Sequence, residues 1–369
     1  MLREPLVSVV TPVRVGGAVL ADCIESVLAQ THENFEYIIL DNDSRDGSLE
    51  LARKYAGRDS RIRVERWNTP VGEIERHNIA FRLISPEAKY CKVVSPEDVI
   101  FRECIARMVQ LAEANPSVGM VGSYQLAGSR VRWQGFEYPR SVIPGEEICR
   151  RVFLGGEPGF GFGTPTSMVY RADLVRSTAH FYPGSSPHAD ASACFRYLRG
   201  RAFGFVFQVL SQGRAHERLE SVVSAEMNRF APAYIKDLVE YGPLYLSQAE
   251  LRRRLGEEIH GYHRFLAANL VQRRGREFWD YHQASLEELG HPMTRYRLAK
   301  AAATLLLRAS LNPGDAIAKS WRRVLYRSRS AGRSWTETRE GATPASRIDP
   351  DGTRMAPQER QATGARSAF

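Results

Sequence analysis

Strand-like and helix-like hydrophobic periods alternate through the first two hundred residues, and this alternation restricts the fold more than any other feature. Val7-Ser8-Val9-Val10-Thr11-Pro12 is a buried-type strand stopped by a proline. Leu20, Ile24, Val27 and Leu28 then share one face of a helix ending near Gln30. A strand over Phe35–Leu40 is followed by a helix carrying Leu49, Ala52 and Tyr55, and a strand over Ile62–Glu65 by a helix over Gly72–Leu83. Tyr90–Val94 and Phe101–Ala114 repeat the pair, and Val118–Tyr124 closes the series. Such β-α units predict an α/β fold: a mainly parallel central sheet flanked by helices. Ligands of these sheets bind beyond the carboxyl ends of the strands, which directs attention to Pro12–Arg14, Asp41–Asp46 and Ser95–Asp98.

A Gly/Pro-rich stretch at Gly155–Pro165 leads to a short strand (Ser167–Tyr170), a helix around Ala189–Leu198 and an apolar strand over Phe203–Leu210. Beyond about Val222 the pattern turns helical and basic, and past Arg327 apolar periodicity is almost lost, as in a disordered tail. The expected organisation is an α/β domain over residues 1–225, a helical C-terminal extension over 226–327 and a basic tail over 328–369.

The net charge of +9 does not mark a nucleic-acid groove. Trp321–Phe369 holds ten Arg against five Asp plus Glu, a net of +5, so more than half of the excess sits in the tail. No nucleic-acid partner is expected. The five cysteines (Cys23, Cys91, Cys104, Cys149, Cys194) are odd in number, lack CxxC spacing and sit among apolar residues, which argues for buried thiols. No run is long and apolar enough to span a membrane, and a strand beginning near Leu6 leaves no room for a signal peptide; a cytoplasmic protein is expected.

Four polar constellations stand at or near predicted strand ends. LDNDSRDGS (Leu40–Ser48) offers carboxylates and an amide to a nucleobase or ribose, or is an Asx turn with Asp46 or Ser48 capping the next helix. Ser95-Pro96-Glu97-Asp98 is oxygen-rich and suits Mg²⁺ or Mn²⁺, or caps the helix that follows. Asp190, at a helix start, reads first as a cap, and His216, after an apolar strand, is structural or functional. The stretch GGEPGFGFGTPTS (Gly155–Ser167) has neither GxxxxGK[ST] nor a strand–GxGxxG–helix context, so P-loop and dinucleotide-binding readings are rejected.

Taken in order, strand-TPV, LDNDSRDGS, the acidic strand end, GTPTSMVYR, HAD…FRYL and QVLSxxRxH resemble the family 2 glycosyltransferases of the GT-A fold, from about Pro5 to about Glu220. That resemblance implies a glycosyltransferase that moves a sugar with inversion from a nucleotide-sugar donor, UDP-sugars first, to a glycan or lipid-linked acceptor. It implies a role in polysaccharide or cell-envelope assembly. It places Thr11, Pro12, Asp41, Asp43, His77, Asn78 and Ser95 around the donor nucleotide. Asp190 falls on the catalytic base. Glu97, Asp98 and His216 fall on the Mg²⁺ or Mn²⁺ site, although the metal motif's first aspartate is Ser95 here and the loop's second acid is Asn42. Phe160 and Phe162 either stack on a sugar or fill the loop's own core. A basic, leucine-bearing stretch over residues 296–326 either packs on the domain or rests on an anionic membrane at the inner face of the plasma membrane. The alternatives to a transferase are a non-catalytic nucleotide-sugar-binding module and, behind it, a nucleotidyltransferase.

Overall fold

A computed structural model of the chain describes residues 4–156, 162–184, 186–213, 227–272 and 274–311. Within them ten strands join in one sheet. Its first half is parallel: β1 (Val7–Val13) lies between β2 (Phe35–Asp41) and β4 (Tyr90–Val93), and β3 (Ile62–Arg66) borders β2. The second half is mixed. There β9 (Met168–Arg171) runs antiparallel to both β4 and β6 (Val118–Ala127), and β10 (Ala202–Gly213) lies parallel to β6. The short strands β5 (Val99–Ile100), β7 (Arg130–Arg132) and β8 (Val142–Pro144) pair antiparallel at the margins.

Period-two alternation sends the two sides of each strand to separate cores. Val7, Val9, Phe35, Tyr37 and Ile39 meet α1 (Leu20–Leu28), α2 (Ser48–Ala56) and α4 (Cys104–Ala114). Val10, Ile38 and Leu40 face α3 (Glu73–Arg82), α5 (Gly145–Phe153), α6 (Ala172–Arg176) and α7 (Ala189–Tyr197) on the other side. All five cysteines are buried, free thiols, as their neighbours in sequence suggested.

Two boundaries differ from expectation for identifiable reasons. Pro12 does not stop β1, which continues to Val13 and pairs Pro12 with Leu40. The carbonyl of Val10 accepts from Val94 N at 3.0 Å, so the missing N–H of Pro12, two residues on, faces the side where β4 has ended. Ser95–Asp98 caps no helix: it turns directly into β5, and α4 starts only at Cys104.

The C-terminal helices begin with α8 (Phe230–Tyr245), whose Tyr234, Leu238, Tyr241 and Tyr245 join the same core as α7. Tyr245 Oη donates to the carbonyl of Phe195 at 2.5 Å. Next, α9 (Gln248–Asn269) starts with a reciprocal cap between Ser247 and Glu250. A smaller core of Ile235, Tyr262, Leu266, Phe278 and Leu286 ties α8 and α9 to α10 (Arg276–Glu288). The compact unit ends at Ala303, within α11 (Arg295–Leu311). Among the described residues no helix is long and apolar enough to cross a membrane. The tail over 328–369 lies outside the described residues.

Candidate functional site

The loop after β2 is built by its own polar side chains. Asp41 ends the strand almost fully buried; its Oδ1 accepts from Ser44 Oγ and its carbonyl from Trp67 N at 2.8 Å. Oδ2 accepts no hydrogen bond among the described residues, and Arg66 Nε stands 3.9 Å away. A buried carboxylate oxygen left without a donor is costly. An imide N–H of a nucleobase is the complementary group.

Asn42, where the family pattern carries an acid, is a clamp. Its Nδ2 donates to the carbonyls of Trp67 (3.1 Å) and Thr69 (2.8 Å), and its Oδ1 accepts from Val71 N (3.1 Å). Only an amide both donates and accepts in this way. Asp43 takes a positive φ of 53°, tolerable for an aspartate, and pairs with Arg45 at 3.3 Å on the surface. Asp46 latches the loop after β1, with Oδ2 accepting from Gly16 N (2.9 Å) and Gly17 N (2.8 Å). Burial pushes its carboxyl up, but hydrogen bonds from Ser48, Gly17 and Gly16 outweigh this and hold it below its usual value.

Thr11 and Pro12 lie inside β1. The Thr11 hydroxyl is buried beneath the sheet, 2.9 Å from Tyr37 Oη, so its role is to support the strand from the α1 side.

At the end of β4, Ser95 N donates to Thr166 Oγ1 at 3.0 Å and Asp98 N to the Ser95 carbonyl at 2.9 Å. Lys92 is wholly buried on β4, its ammonium donating to the carbonyls of Thr166 and Met168. Burial drives its pKa down, and nearby Cys104 and Asp98 oppose that. The GTPTS motif is thus a clasp on the Ser95–Asp98 turn rather than a phosphate cradle. A Cβ on Gly163 would lie 2.6 Å from Ser167 Oγ, which keeps that position a glycine. Glu97 and Asp98 bring two carboxylates to the turn, a donor set of the kind hard cations prefer. No cluster of three or more His, Cys, Asp or Glu suited to a metal occurs among the described residues, and His216 lies outside them. Phe160 also lies outside, whereas Phe162 is core, packed on Phe195 and Phe203 at 5.3 and 5.8 Å.

A cleft of about 1130 Å³ opens between α3, the residues before α7, and helices α8 and α10. It gathers His77, Asn78 and Asp190; Thr11, Pro12, Asp41, Asp43 and Ser95–Asp98 do not line it. Asn78 binds the backbone of Tyr182 twice, Nδ2 to O at 3.0 Å and Oδ1 from N at 2.9 Å. His77 Nδ1 is 2.8 Å from the carbonyl of Glu73, and its ring lies 5.6 Å from that of Tyr182. Asp190 stands in the first turn of α7 and accepts from Ala191 N at 2.8 Å. Burial raises its pKa to about 6, against the lowering effects of His188 and of backbone hydrogen bonds. A carboxylate so placed is poised as a base near neutral pH.

The cleft also holds a buried pair that periodicity did not flag: Asp237 on α8 and His188, 3.5 Å apart. Asp237 sits in a helical pattern where an acid reads as solvent-facing. Only its spacing among Tyr234, Leu238 and Tyr241 marks the inward face.

Both the fold and the matching sequence segment define one class. The S. aureus TarS 1-349 structure in complex with UDP-GlcNAc superposes with a TM-score of 0.57 at 13% identity, over 77% of this chain and 80% of that one. The mannosyltransferase PcManGT of Pyrobaculum calidifontis, in complex with GDP-Man and Mn²⁺, gives 0.53 at 15% identity over 88% and 83%. The fold is therefore GT-A. Residues 8–176 match the family described as Glycosyl transferase family 2. Among its relatives, GlyG of Streptococcus pneumoniae is 29% identical over 119 residues, 32% of this chain and 39% of GlyG. EpsJ of Bacillus subtilis, also named a glycosyltransferase, is 31% identical over 42% of this chain and 41% of its own length. The chain thus spans about two-fifths of the length of these two relatives.

Proposed function

We propose that this protein is an inverting glycosyltransferase that uses a nucleoside-diphosphate sugar, UDP-sugars first, and a glycan or lipid-linked hydroxyl acceptor. The observation that carries this is Asp190, a carboxylate on the cleft wall whose pKa of about 6 leaves it ionised and basic at neutral pH.

The acceptor oxygen attacks the anomeric carbon as the bond from that carbon to the diphosphate oxygen breaks. Asp190 receives the hydroxyl proton late, once the attacking oxygen has lost electron density. Asp41 Oδ2 supports base recognition, and the Asn42 clamp holds the loop over Trp67–Val71 around the base. A divalent cation, when bound, would neutralise charge on the leaving diphosphate, with Glu97 and Asp98 as its protein ligands. His216 joins that set by family resemblance. A cytoplasmic enzyme acting in polysaccharide or cell-envelope assembly, with peripheral membrane contact through residues 296–326, completes the reading; liposome co-sedimentation tests that contact.

The test is release of nucleoside diphosphate from UDP-, GDP- and dTDP-sugars, with NMR of the product's anomeric configuration. Inversion with one donor class is expected. Donor binding without release from any of them would favour a non-catalytic binding module.

A further inference from the structure

The family match ends at residue 176, before Asp190 and before the helical extension, yet the extension reaches into the cleft that Asp190 lines. Asp237 is the residue that does so. It is 4% exposed and grips both ends of the segment carrying Asp190. Its Oδ1 lies 2.5 Å from Ser192 Oγ, and its Oδ2 lies 3.5 Å from Nδ1 of His188, the N-cap residue of α7. Ser192 N donates back to the His188 carbonyl at 2.8 Å, closing the turn around Asp190. Neither His188 Nδ1 nor Asp237 Oδ2 has a regular hydrogen-bond partner among the described residues, so each is left to the other.

A purely structural brace here would not need a charge. A buried carboxylate stabilises a fold poorly compared with apolar packing. Tyr234, Leu238 and Tyr241 already weld α8 to the core on the same helix face.

We propose that Asp237 and His188 form a positioning pair that holds Asp190 toward the acceptor hydroxyl, so that the helical extension supplies part of the transfer site. This rests on the transferase reading above. Charged and titratable groups face the pair from every side of the cleft: His77 on α3, Asp190 on α7, and Lys236 and Glu240 on α8. Glu73 and Glu75 on α3, His180 and Tyr182, Arg229 just before α8, Tyr241 on α8, and Tyr281 and Glu288 on α10 line it as well, with Lys236 and Glu288 already bridged at 2.5 Å. Of the two members of the pair, His188 acts more strongly on Asp190 and favours its ionised form, while Asp237 opposes ionisation more weakly.

The experiment measures donor turnover for wild type, Asp237→Asn, His188→Gln and Asp190→Asn, each across pH 5–9. Asp237→Asn keeps an acceptor for Ser192 but loses the grip on His188. It should lower kcat about 10–100-fold, the range seen when a supporting partner is removed, with donor KM within about twofold. His188→Gln should move the acid limb of kcat to higher pH, because the group favouring ionised Asp190 is gone. Wild-type kcat in Asp237→Asn, or an unmoved acid limb in His188→Gln, would overturn the pair's role while leaving the transferase intact. Should Asp237→Asn fail to fold, His188→Gln decides the matter through its pH profile. A wild-type protein that turned over no donor would overturn the transferase reading and this role with it.

Discussion

Replacing Asp190 with asparagine should stabilise the protein while removing its activity. Burial raises the carboxyl pKa from 3.8 to about 6 in the folded state. That difference, at 1.36 kcal/mol per pH unit, corresponds to about 3 kcal/mol, an upper bound because the cleft admits water. The sign follows from proton counting: between pH 4 and 6 the folded protein binds more protons than the unfolded chain, so stability falls as pH rises through that window. Above pH 6 the full cost is present, and below pH 4 it vanishes. Asp190→Asn has nearly the same shape, can still accept from Ala191 N, and carries no charge to bury. Differential scanning calorimetry should therefore show Tm raised by on the order of 5 °C at pH 8 and unchanged at pH 4, for a domain of this size. Transfer by the variant should be abolished. A gain equal at both pH values, or a loss at pH 8, would refute the claim that Asp190 is held as a strained base.

Two further substitutions test the scaffold around the site. Asn42→Asp, which restores the acid of the family pattern, should destabilise by about 3 kcal/mol at neutral pH. It sets a carboxylate against the carbonyls of Trp67 and Thr69, and urea unfolding should show the loss shrinking on acidification as the carboxyl protonates. Gly145→Ala should cost about 3 kcal/mol in the same assay, because its Cβ would fall 1.9 Å from the Leu198 carbonyl oxygen and 2.6 Å from that of Arg201.

The parallel half of the sheet was legible because β1, β2 and β4 carry largely buried runs and each helix an apolar face; β3 is buried only at Ile62. The order of the later strands was not. Whether β9 inserts between β4 and β6 depends on long-range pairing, and nothing local in Met168–Arg171 encodes its neighbours. Asp41 and Asp190 were singled out by resemblance; Asp190 lines the cleft, whereas Asp41, at the end of β2, does not. The work of Asn42 and Thr166 escaped, because an amide or hydroxyl in a loop gives no sign of which distant carbonyl or amide it will bind. Lys92 escaped for a related reason: a lysine in an apolar strand announces burial, but its two carbonyl partners come from 74 and 76 residues away. Thr11 shows the reverse. Its type and position matched a donor contact, yet the strand's alternation turns it toward Tyr37 and α1.

The central claim is that this fold binds a nucleotide-sugar through Asp41 and transfers its sugar through Asp190. A thermal-shift titration tests the first step most directly, with UDP-, GDP- and dTDP-sugars, each with Mg²⁺, with Mn²⁺ and with EDTA, on wild type and Asp41→Asn. A ligand that binds only the folded protein must raise Tm in proportion to RT ln(1 + [L]/Kd). A concentration-dependent rise with one nucleotide class is expected in wild type. In Asp41→Asn the apparent Kd should weaken by about 10–100-fold, as expected for a lost charged hydrogen bond. No shift with any donor, or equal shifts in the variant, would contradict it.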